Sequence, residues 1–165
     1  MPPASYALGL GSNRRHGRFG APRAVVAAAI AALAAEGLRV IAQSRIVETA
    51  PLGPSARRFA NAVVLVETAL CPPAVLALVK RIERRFGRRR GRRWGARVID
   101  VDLLLWSGGR WRGPGLSVPH PAMAVRRFVL DPLAEIAGIW RVEGGSVQAM
   151  RFRLMKARRS RENRP

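Results

Sequence analysis

Cysteine, acidic residues and long apolar segments are all scarce in this chain of 165 residues. Its one cysteine, Cys71, excludes an internal disulfide framework, and we expect it to have a packing role. The longest apolar stretch, residues 24–35, is alanine-rich and too short to cross a bilayer. No charged segment followed by a hydrophobic one opens the chain. We therefore expect a cytoplasmic protein with no membrane attachment.

Acidic residues are outnumbered by basic ones. Ten Asp and Glu stand against thirty Lys and Arg, which gives a formal net charge of +20, and lysine occurs only at Lys80 and Lys156. Arginine binds phosphate bidentately and keeps its proton, so nucleotides, nucleic acids and anionic surfaces are candidate partners. The chain is also rich in Ala, Gly and Pro, a composition that genome base content can produce through codon choice. The excess of arginine therefore has a compositional explanation as well as a functional one. Charge alone therefore does not decide the function.

Two common nucleotide-binding signatures are absent. Residues 9–13 (GLGSN) begin like a dinucleotide fingerprint, but Arg14 occupies the third glycine position. A plain strand-ending turn is the alternative for this segment. No Walker A loop occurs either. An ATP site would therefore have to hold its phosphates with side chains and metal instead of a glycine cradle.

The most informative segment is residues 97–106 (RVIDVDLLLW), which places two carboxylates in an apolar, β-branched run. Such a run predicts a strand. Alternation puts Asp100 and Asp102 on one face, roughly 6 to 7 Å apart. The other face is then expected to carry Ile99, Val101, Leu103 and Leu105.

Two adjacent carboxylates on a half-buried strand repel each other unless cations neutralise them. Only three aspartates occur in the chain, so Asp100 and Asp102 are unusual for a sequence so poor in acids. One explanation is a structural ion pair with Arg97 or a neighbour. The other is a pair of Mg²⁺ ions bridged by these oxygens, which would suit phosphoryl chemistry.

The order of predicted elements is β, α, β, β, α, β, followed by a short helix. This order indicates an α+β ferredoxin-like sandwich, with a largely antiparallel sheet and helices packed on one of its faces. We expect one domain over residues 1–150 and a basic, disordered tail over 151–165. The elements are predicted at strand 6–10, helix between Pro22 and Gly37, β-rich runs 39–49 and 62–68, helix 73–86, the Asp-bearing strand, and helix 131–137.

Further candidate site residues flank these elements. The arginine-dense segment 84–97 could wrap a triphosphate, with Trp94 stacking on a base, or could bind RNA through phosphate contacts. His120 lies between two prolines that would fix its direction, although a lone histidine is often structural. Phe59 and Asn61 would share a face if they begin a strand, as a stacking ring and an amide; a core aromatic and a turn residue are the alternative.

Taken together, these motifs resemble the 6-hydroxymethyl-7,8-dihydropterin pyrophosphokinase family, from Tyr6 to about Ala137. The most specific match is residues 93–104 (RWGARVIDVDLL). The other matches follow in the family's order and spacing: 8–13, 48–53, 59–62, and 118–121 with Arg126, 128–130 and 132–133. The resemblance implies transfer of a pyrophosphoryl group from ATP to a pterin alcohol in folate biosynthesis.

The resemblance also implies roles for single residues. Asp100 and Asp102 would hold two Mg²⁺ ions on the phosphates of the co-substrate ATP. Phe59 and Phe128 would sandwich the pterin, and Asn61 would hydrogen-bond its edge. Backbone groups around three residues would complete the pterin pocket: Thr49, Pro51 and Leu52. Phosphate oxygens would be met by Arg88, Arg90, Arg97, His120 and Arg126, with Glu83 and Trp94 near the nucleotide.

The chain departs from the family pattern in three places. The arginine segment is about one residue short, so Arg88 and Arg90 could exchange roles with Arg89 or Arg92. Gly138 stands where the family often has proline, and the C-terminal elements are hard to match. The resemblance predicts a monomeric Mg²⁺-dependent pyrophosphokinase that uses small-molecule substrates, with no specific nucleic acid. A basic RNA-binding α+β domain is the alternative.

Overall fold

The computed structural model describes residues 2–49, 58–87 and 98–162. Its central sheet contains five strands, every pair of which is antiparallel. The strands are β1 (Ala4–Ser12), β2 (Arg39–Gln43), β3 (Val47–Thr49), β4 (Phe59–Thr68) and β5 (Asp100–Trp106). The order across the sheet is β2-β4-β1-β5, and β3 follows β2 along the same edge of β4. The predicted α+β fold with a largely antiparallel sheet is confirmed.

The described residues also form four helices, two short hairpins and a 3-10 turn. The helices are α1 (Pro22–Ala35), α2 (Pro72–Arg85), α3 (Arg127–Ala137) and α4 (Val147–Glu162). The hairpins are β6 (Trp111–Gly113) with β7 (Leu116–Val118), and β8 (Arg141–Val142) with β9 (Gly145–Ser146); the 3-10 turn is Met123–Val125. No helix among the described residues has the length and apolar character needed to cross a membrane.

The helices cover both faces of the sheet, whereas the sequence predicts helices on one face. Helices α1 and α2 pack on the face that carries Tyr6, Leu8 and Leu10 of β1. Helices α3 and α4 contribute to a second cluster, which contains Ala7 of β1. Alternation along β1 thus feeds two cores. An apolar period shows that a helix has a buried side, but it does not say which sheet face the helix meets.

A break in the β1–β5 register changes one prediction about the Asp-bearing strand. The pairing shifts between Ala7 and Leu8, which leaves Leu104 without a direct partner. Val101 and Leu103 lie in the α1–α2 core, as alternation predicts, but Leu105 lies in the α3–α4 core. One extra residue in a strand reverses the facing of everything after it.

The predicted disordered tail is helical through Glu162, so the predicted boundary at residue 150 falls inside α4. Val147 is fully buried, and Met150 and Leu154 pack on the α3–α4 core. Their spacing of three and four residues places them on one side of a helix. The sequence did not indicate this helix over residues 151–162, because the density of arginine obscured the short apolar stripe.

Other boundaries differ by a few residues. The run predicted over 39–49 is two strands: at Ser44, the Val63 N–H donates to the serine hydroxyl at 2.9 Å, although the Ser44 N–H still donates to Val63 O. Helix α3 begins at Arg127, four residues before the predicted start, and Pro132 lies inside it. Proline usually marks the first turn of a helix, so Pro132 misled the sequence-based start.

Candidate active site

The sheet brings the predicted pterin and metal residues into one row. Residues paired directly across an antiparallel ladder point to the same face. Asp100 of β5 pairs with Gly11 of β1, which pairs with Asn61 of β4. In the neighbouring row, Asp102 pairs with Gly9. The two carboxylates and the amide therefore stand on the same face of the sheet, and the two glycines of β1 lie between them.

These two glycines leave room that a larger residue would fill. A Cβ atom added at Gly11 would lie 3.1 Å from Asn61 Oδ1, and one added at Gly9 would lie 3.2 Å from Leu104 Cδ1. Both distances are shorter than ordinary van der Waals contacts. We call the surface formed by Gly9, Gly11, Asn61, Asp100 and Asp102 the glycine strip.

The amide of Asn61 is held in place from the neighbouring strand. Asn61 is 6% exposed, and its Nδ2 donates a hydrogen bond to Thr49 Oγ1 at 2.9 Å. Thr49 itself pairs with Phe59, whose half-buried ring begins β4. Of the two alternatives for Phe59 and Asn61, the structure shows the strand, and alternation places both on the face of the glycine strip.

Asp100 and Asp102 are half-buried, and Val101 between them points into the opposite core. The Val101 N–H donates to Glu83 Oε1 at 2.8 Å, and Lys80 Nζ donates to the same oxygen at 2.9 Å. Glu83 is fully buried. The structure places the Glu83 carboxylate against the β5 backbone between the two aspartates, and its place near the nucleotide stays a prediction. Its contact with Val101 fixes the backbone from which both carboxylates project.

Three predicted residues follow β5 in the chain, and the first of them contacts β5. The His120 N–H donates to Leu104 O at 2.9 Å, which attaches this segment two residues beyond Asp102. Arg126 is the N-cap residue of α3, with Phe128 in the first turn. The Arg126 guanidinium lies 5.8 Å from the centre of the Phe128 ring, within cation–π range. Helix α3 thus presents a cation and an aromatic ring together.

Several predicted site residues lie outside the described residues. They are Arg88, Arg90, Trp94 and Arg97 of the arginine segment, with its alternatives Arg89 and Arg92, and Pro51 and Leu52 of the segment before β4. Their predicted roles stay predictions.

A cleft of about 490 Å³ adjoins Phe59 and Ala60 and includes residues that the sequence analysis did not single out. Arg58 lies beside it, 3.7 Å from Glu48. The remaining lining is formed by Asn13, Arg14, Arg15 and Pro22. Arg58 could have been noticed from its place immediately before Phe59. A larger cleft of about 910 Å³, bounded by Arg23 and Glu135 among others, contains none of the predicted site residues.

The glycine strip offers magnesium two carboxylates, so a bound substrate would have to supply the other oxygen ligands. Within residues 2–49, 58–87 and 98–162, no cluster of three His, Cys, Asp or Glu side chains could hold a metal ion. Mg²⁺ is commonly bound by one or two carboxylates, with substrate phosphates supplying further oxygens. Two aspartates beside an open glycine floor match that division of ligands. The arrangement is suited to a metal that arrives with a phosphorylated co-substrate.

Comparisons with known proteins identify relatives of this chain. A 2-amino-4-hydroxy-6-hydroxymethyldihydropteridine pyrophosphokinase of Methylorubrum extorquens is 42% identical over 132 residues, which are 79% of this chain and 80% of that protein. The enzyme of the same name from Pseudomonas aeruginosa is 38% identical over 108 residues, 65% of this chain and 67% of its own length.

A solved structure shares the fold. The wild-type HPPK-DHPS of Plasmodium falciparum, crystallised with SDX-DHP, superposes with a TM-score of 0.71 at 13% identity. The alignment covers 98% of this chain and 46% of that one, so this chain spans less than half of its length. At such low identity the superposition supports the fold alone.

The family profile itself spans most of the chain. The profile of 7,8-dihydro-6-hydroxymethylpterin-pyrophosphokinase matches residues 7–138, from β1 to the residue after α3. The matched region includes the whole glycine strip, Glu83, His120, Arg126 and Phe128. The chain belongs to the 7,8-dihydro-6-hydroxymethylpterin-pyrophosphokinase family, whose enzymes transfer the pyrophosphoryl group of ATP to hydroxymethyldihydropterin in folate biosynthesis.

Proposed function

We propose that the glycine strip is the centre of pyrophosphoryl transfer in this chain, and that Asp100 and Asp102 hold two Mg²⁺ ions together with the phosphates of ATP. The observation that carries this proposal is the shared face of the two half-buried aspartates, opposite Asn61 across two glycines. When bound, magnesium would neutralise phosphate charge and stabilise the charge that develops during transfer.

The pterin would bind on the β4 side of the strip. The Asn61 amide offers a donor and an acceptor to the edge of a heterocycle, and its contact with Thr49 limits its rotation. Phe59 and Phe128 would stack on the two faces of the pterin ring. The backbone around Thr49, Pro51 and Leu52 would close the pocket.

ATP would bind on the β5 side, beside the aspartates. His120 and Arg126 would meet phosphate oxygens there, because the His120 backbone contact with Leu104 attaches their segment to β5. Arg88, Arg90 and Arg97 would add further cations, and Trp94 would stack near the nucleotide. Guanidinium groups suit this task because they bind phosphate bidentately and never lose their charge.

In the proposed reaction, the hydroxymethyl oxygen of the pterin attacks the β-phosphorus of ATP in line. The new O–P bond forms as the bond between the β-phosphorus and the α,β-bridging oxygen breaks, and AMP leaves with that oxygen. The hydroxyl proton passes to solvent, since no side chain among the described residues stands out as a general base. Arginines placed beforehand would stabilise the developing charge without reorganisation.

The direct test is incubation of the chain with ATP, Mg²⁺ and 6-hydroxymethyl-7,8-dihydropterin, with separation of the nucleotides. We expect AMP in equal amount to the pterin diphosphate and no AMP without magnesium. Release of ADP, or no turnover by well-folded protein, would contradict the proposal. The same preparations give the solution mass, which we expect to be that of a monomer.

The pterin pocket has its own test. Phe128→Ala and Phe59→Ala should each weaken pterin binding by about 1 to 3 kcal/mol, the range for bases stacked on aromatic side chains. ATP affinity should change less. Calorimetry that shows equal losses for both ligands would instead assign these rings to the core.

RNA binding, the alternative from the sequence, predicts a different pattern among the arginines. Arg126→Ala should cost about 3 kcal/mol of transition-state stabilisation, the scale found for loss of one oxyanion donor. Arg159→Ala, at an exposed position on α4, should change AMP release by less than about threefold, because screened surface fields act weakly. Filter-retained RNA at two salt concentrations completes the comparison: similar, salt-dependent losses of binding in both variants would favour RNA.

A further inference from the structure

We propose that α4 braces the junction that carries Arg126 and Phe128, and that Arg151 and Asp131 are positioning residues of the active site. This inference rests on the proposed roles of Arg126 and Phe128. Helix α4 begins beyond residue 138, where the family match ends, so the profile assigns it no part in the site.

The junction lies where the backbone changes from the 3-10 turn Met123–Val125 to helix α3. Arg126 between them is extended, with φ −115° and ψ 106°. Its carbonyl accepts the first hydrogen bonds of α3, from the Val129 N–H at 3.1 Å and the Leu130 N–H at 2.9 Å. A rotation at this single residue would move the Arg126 guanidinium and the Phe128 ring relative to the sheet.

Helix α4 contacts both sides of this junction, the 3-10 turn and α3. Val147 is fully buried in the cluster that contains Leu130 and Leu133 of α3. The Gln148 N–H donates to Gly138 O at 2.9 Å, which ties the start of α4 to the end of α3. Apolar contacts of this kind set the distance between two helices but leave their rotation and sliding less well defined.

A cluster of ion pairs fixes the rotation and sliding of α3 relative to α4. Asp131 Oδ1 accepts a hydrogen bond from Arg151 Nε at 2.7 Å, and Asp131 Oδ2 accepts one from Arg127 Nη2 at 3.0 Å. The Asp131 and Arg151 side chains are 33% and 32% exposed, so water screens this pair less than a surface pair. Asp131 lies three residues after Phe128, on the adjacent turn of α3. The pair therefore fixes the rotation of α3 close to the residues proposed to touch substrate.

The test compares Arg151→Ala with Arg153→Ala. Arg153 lies on the same helix, but its guanidinium donates to Gly144 O at 2.8 Å, in the β8–β9 turn. Arg153→Ala therefore removes the same charge as Arg151→Ala and leaves the ion pair with α3 intact. We expect Arg151→Ala to lower kcat/KM for the pterin by about three- to tenfold, mainly through KM, the range for residues that act through a packed network. Arg153→Ala should stay within about twofold, and Arg151→Lys should recover part of the loss.

Hydrogen exchange supplies a readout that does not require turnover. In Arg151→Ala the Val129 and Leu130 amides should exchange about three- to tenfold faster than in the wild-type chain, because local opening of the first turn of α3 becomes easier. If wild-type protein releases no AMP, the proposed function fails while this measurement still tests the brace.

The proposal is overturned if Arg151→Ala and Arg153→Ala give equal effects. It is also overturned if Arg151→Ala lowers the melting temperature but leaves both the pterin KM and the two amides unchanged, since its role is then purely structural. Should Arg151→Ala fail to fold, Asp131→Asn serves in its place, because it keeps the shape of the side chain and removes only the charge.

Discussion

The two faces of the central sheet use the same strands in different ways. On the α1–α2 face, β1 contributes Tyr6, Leu8 and Leu10 to an apolar core that runs the length of the strand. On the opposite face, β1 contributes Ala7 to the α3–α4 core and then Gly9 and Gly11 to the glycine strip. A continuous apolar core stabilises one face. On the other face, small residues leave open space between the polar side chains of the neighbouring strands.

The difference predicts that substitutions on the two faces separate activity from stability. On the glycine strip, charge and open space matter most, and lost groups should affect turnover. On the α1–α2 face, buried volume matters most, and lost groups should affect folding. Four measurements test this separation, beginning with the largest expected effect.

Asp102→Ala should lower AMP release by several orders of magnitude, because a phosphate-bridging metal supplies several kcal/mol to the transition state. The melting temperature should hardly change, since removal of one of two repelling carboxylates relieves strain in the metal-free protein. Glu143→Ala, at a carboxylate that is 69% exposed and pairs with Arg110, is the matched control. A variant that keeps a tenth of the wild-type rate would argue against metal binding by Asp102.

Leu8→Ala should lower the free energy of unfolding by about 2 to 5 kcal/mol, because it leaves a cavity in a fully buried position. Turnover per folded molecule should stay near the wild-type value. Ile139→Ala removes a side chain that is 93% exposed and should cost less than about 0.5 kcal/mol. Urea unfolding followed by circular dichroism checks both variants; a Leu8→Ala protein of normal stability and low activity would reverse the assignment of the faces.

Tyr6 tests the apolar face by titration. Burial, with a smaller contribution from the nearby Cys71, raises the pKa of Tyr6 to about 12, and its hydroxyl donates to Leu70 O at 2.6 Å. In the unfolded chain the pKa should lie near 10. The unfolded state therefore loses its proton first, and the contribution of Tyr6 to stability, about 2 to 3 kcal/mol, is present below pH 10 and is lost as the pH rises towards 12.

Tyr6 is the only tyrosine of the chain, so tyrosinate absorbance at about 295 nm reports on this residue alone. In the folded protein we expect no titration near pH 10. In Tyr6→Phe, stability should depend less on pH between 10 and 12. An ordinary titration midpoint in the folded chain would show that the α1–α2 face admits water at this position.

Gly11→Ala should give the smallest effect. Its new methyl group would press on Asn61 Oδ1, and displacement by a few tenths of an ångström should raise the pterin KM by about three- to tenfold. Gly17→Ala, where a Cβ meets nothing within 4 Å, is the control and should behave like wild type. A normal pterin KM in Gly11→Ala would mean that the amide is not held at the substrate.

Much of this separation could be predicted from sequence, because it depends on local rules. Alternation placed Asp100 and Asp102 on one face, and the placement of Phe59 and Asn61 followed once they began a strand. The limits of α1 follow from Pro22 at its start and Gly37, with φ +89°, just after its end. Each of these features needs only a few neighbouring residues.

The features that sequence did not predict depend on contacts between distant segments. The register shift beside Leu104 sets the facing of Leu105, and it arises from the pairing of β5 with β1. The burial of Glu83 depends on how α2 meets β5, which no local pattern in the sequence indicates. The docking of α4 depends on a second core, to which α3, α4 and the sheet all contribute.

Two backbone hydrogen bonds of β5 affect how the protein behaves at high concentration. Among the strands that the structure describes, β5 lies at the edge of the sheet, and an edge strand can recruit a strand from another molecule through its unpaired backbone groups. Here the Val101 N–H is bonded to Glu83 and the Leu104 carbonyl to the His120 N–H. These two contacts occupy backbone groups at the edge of β5, so they reduce the tendency of this edge to pair with a strand of another molecule and to aggregate.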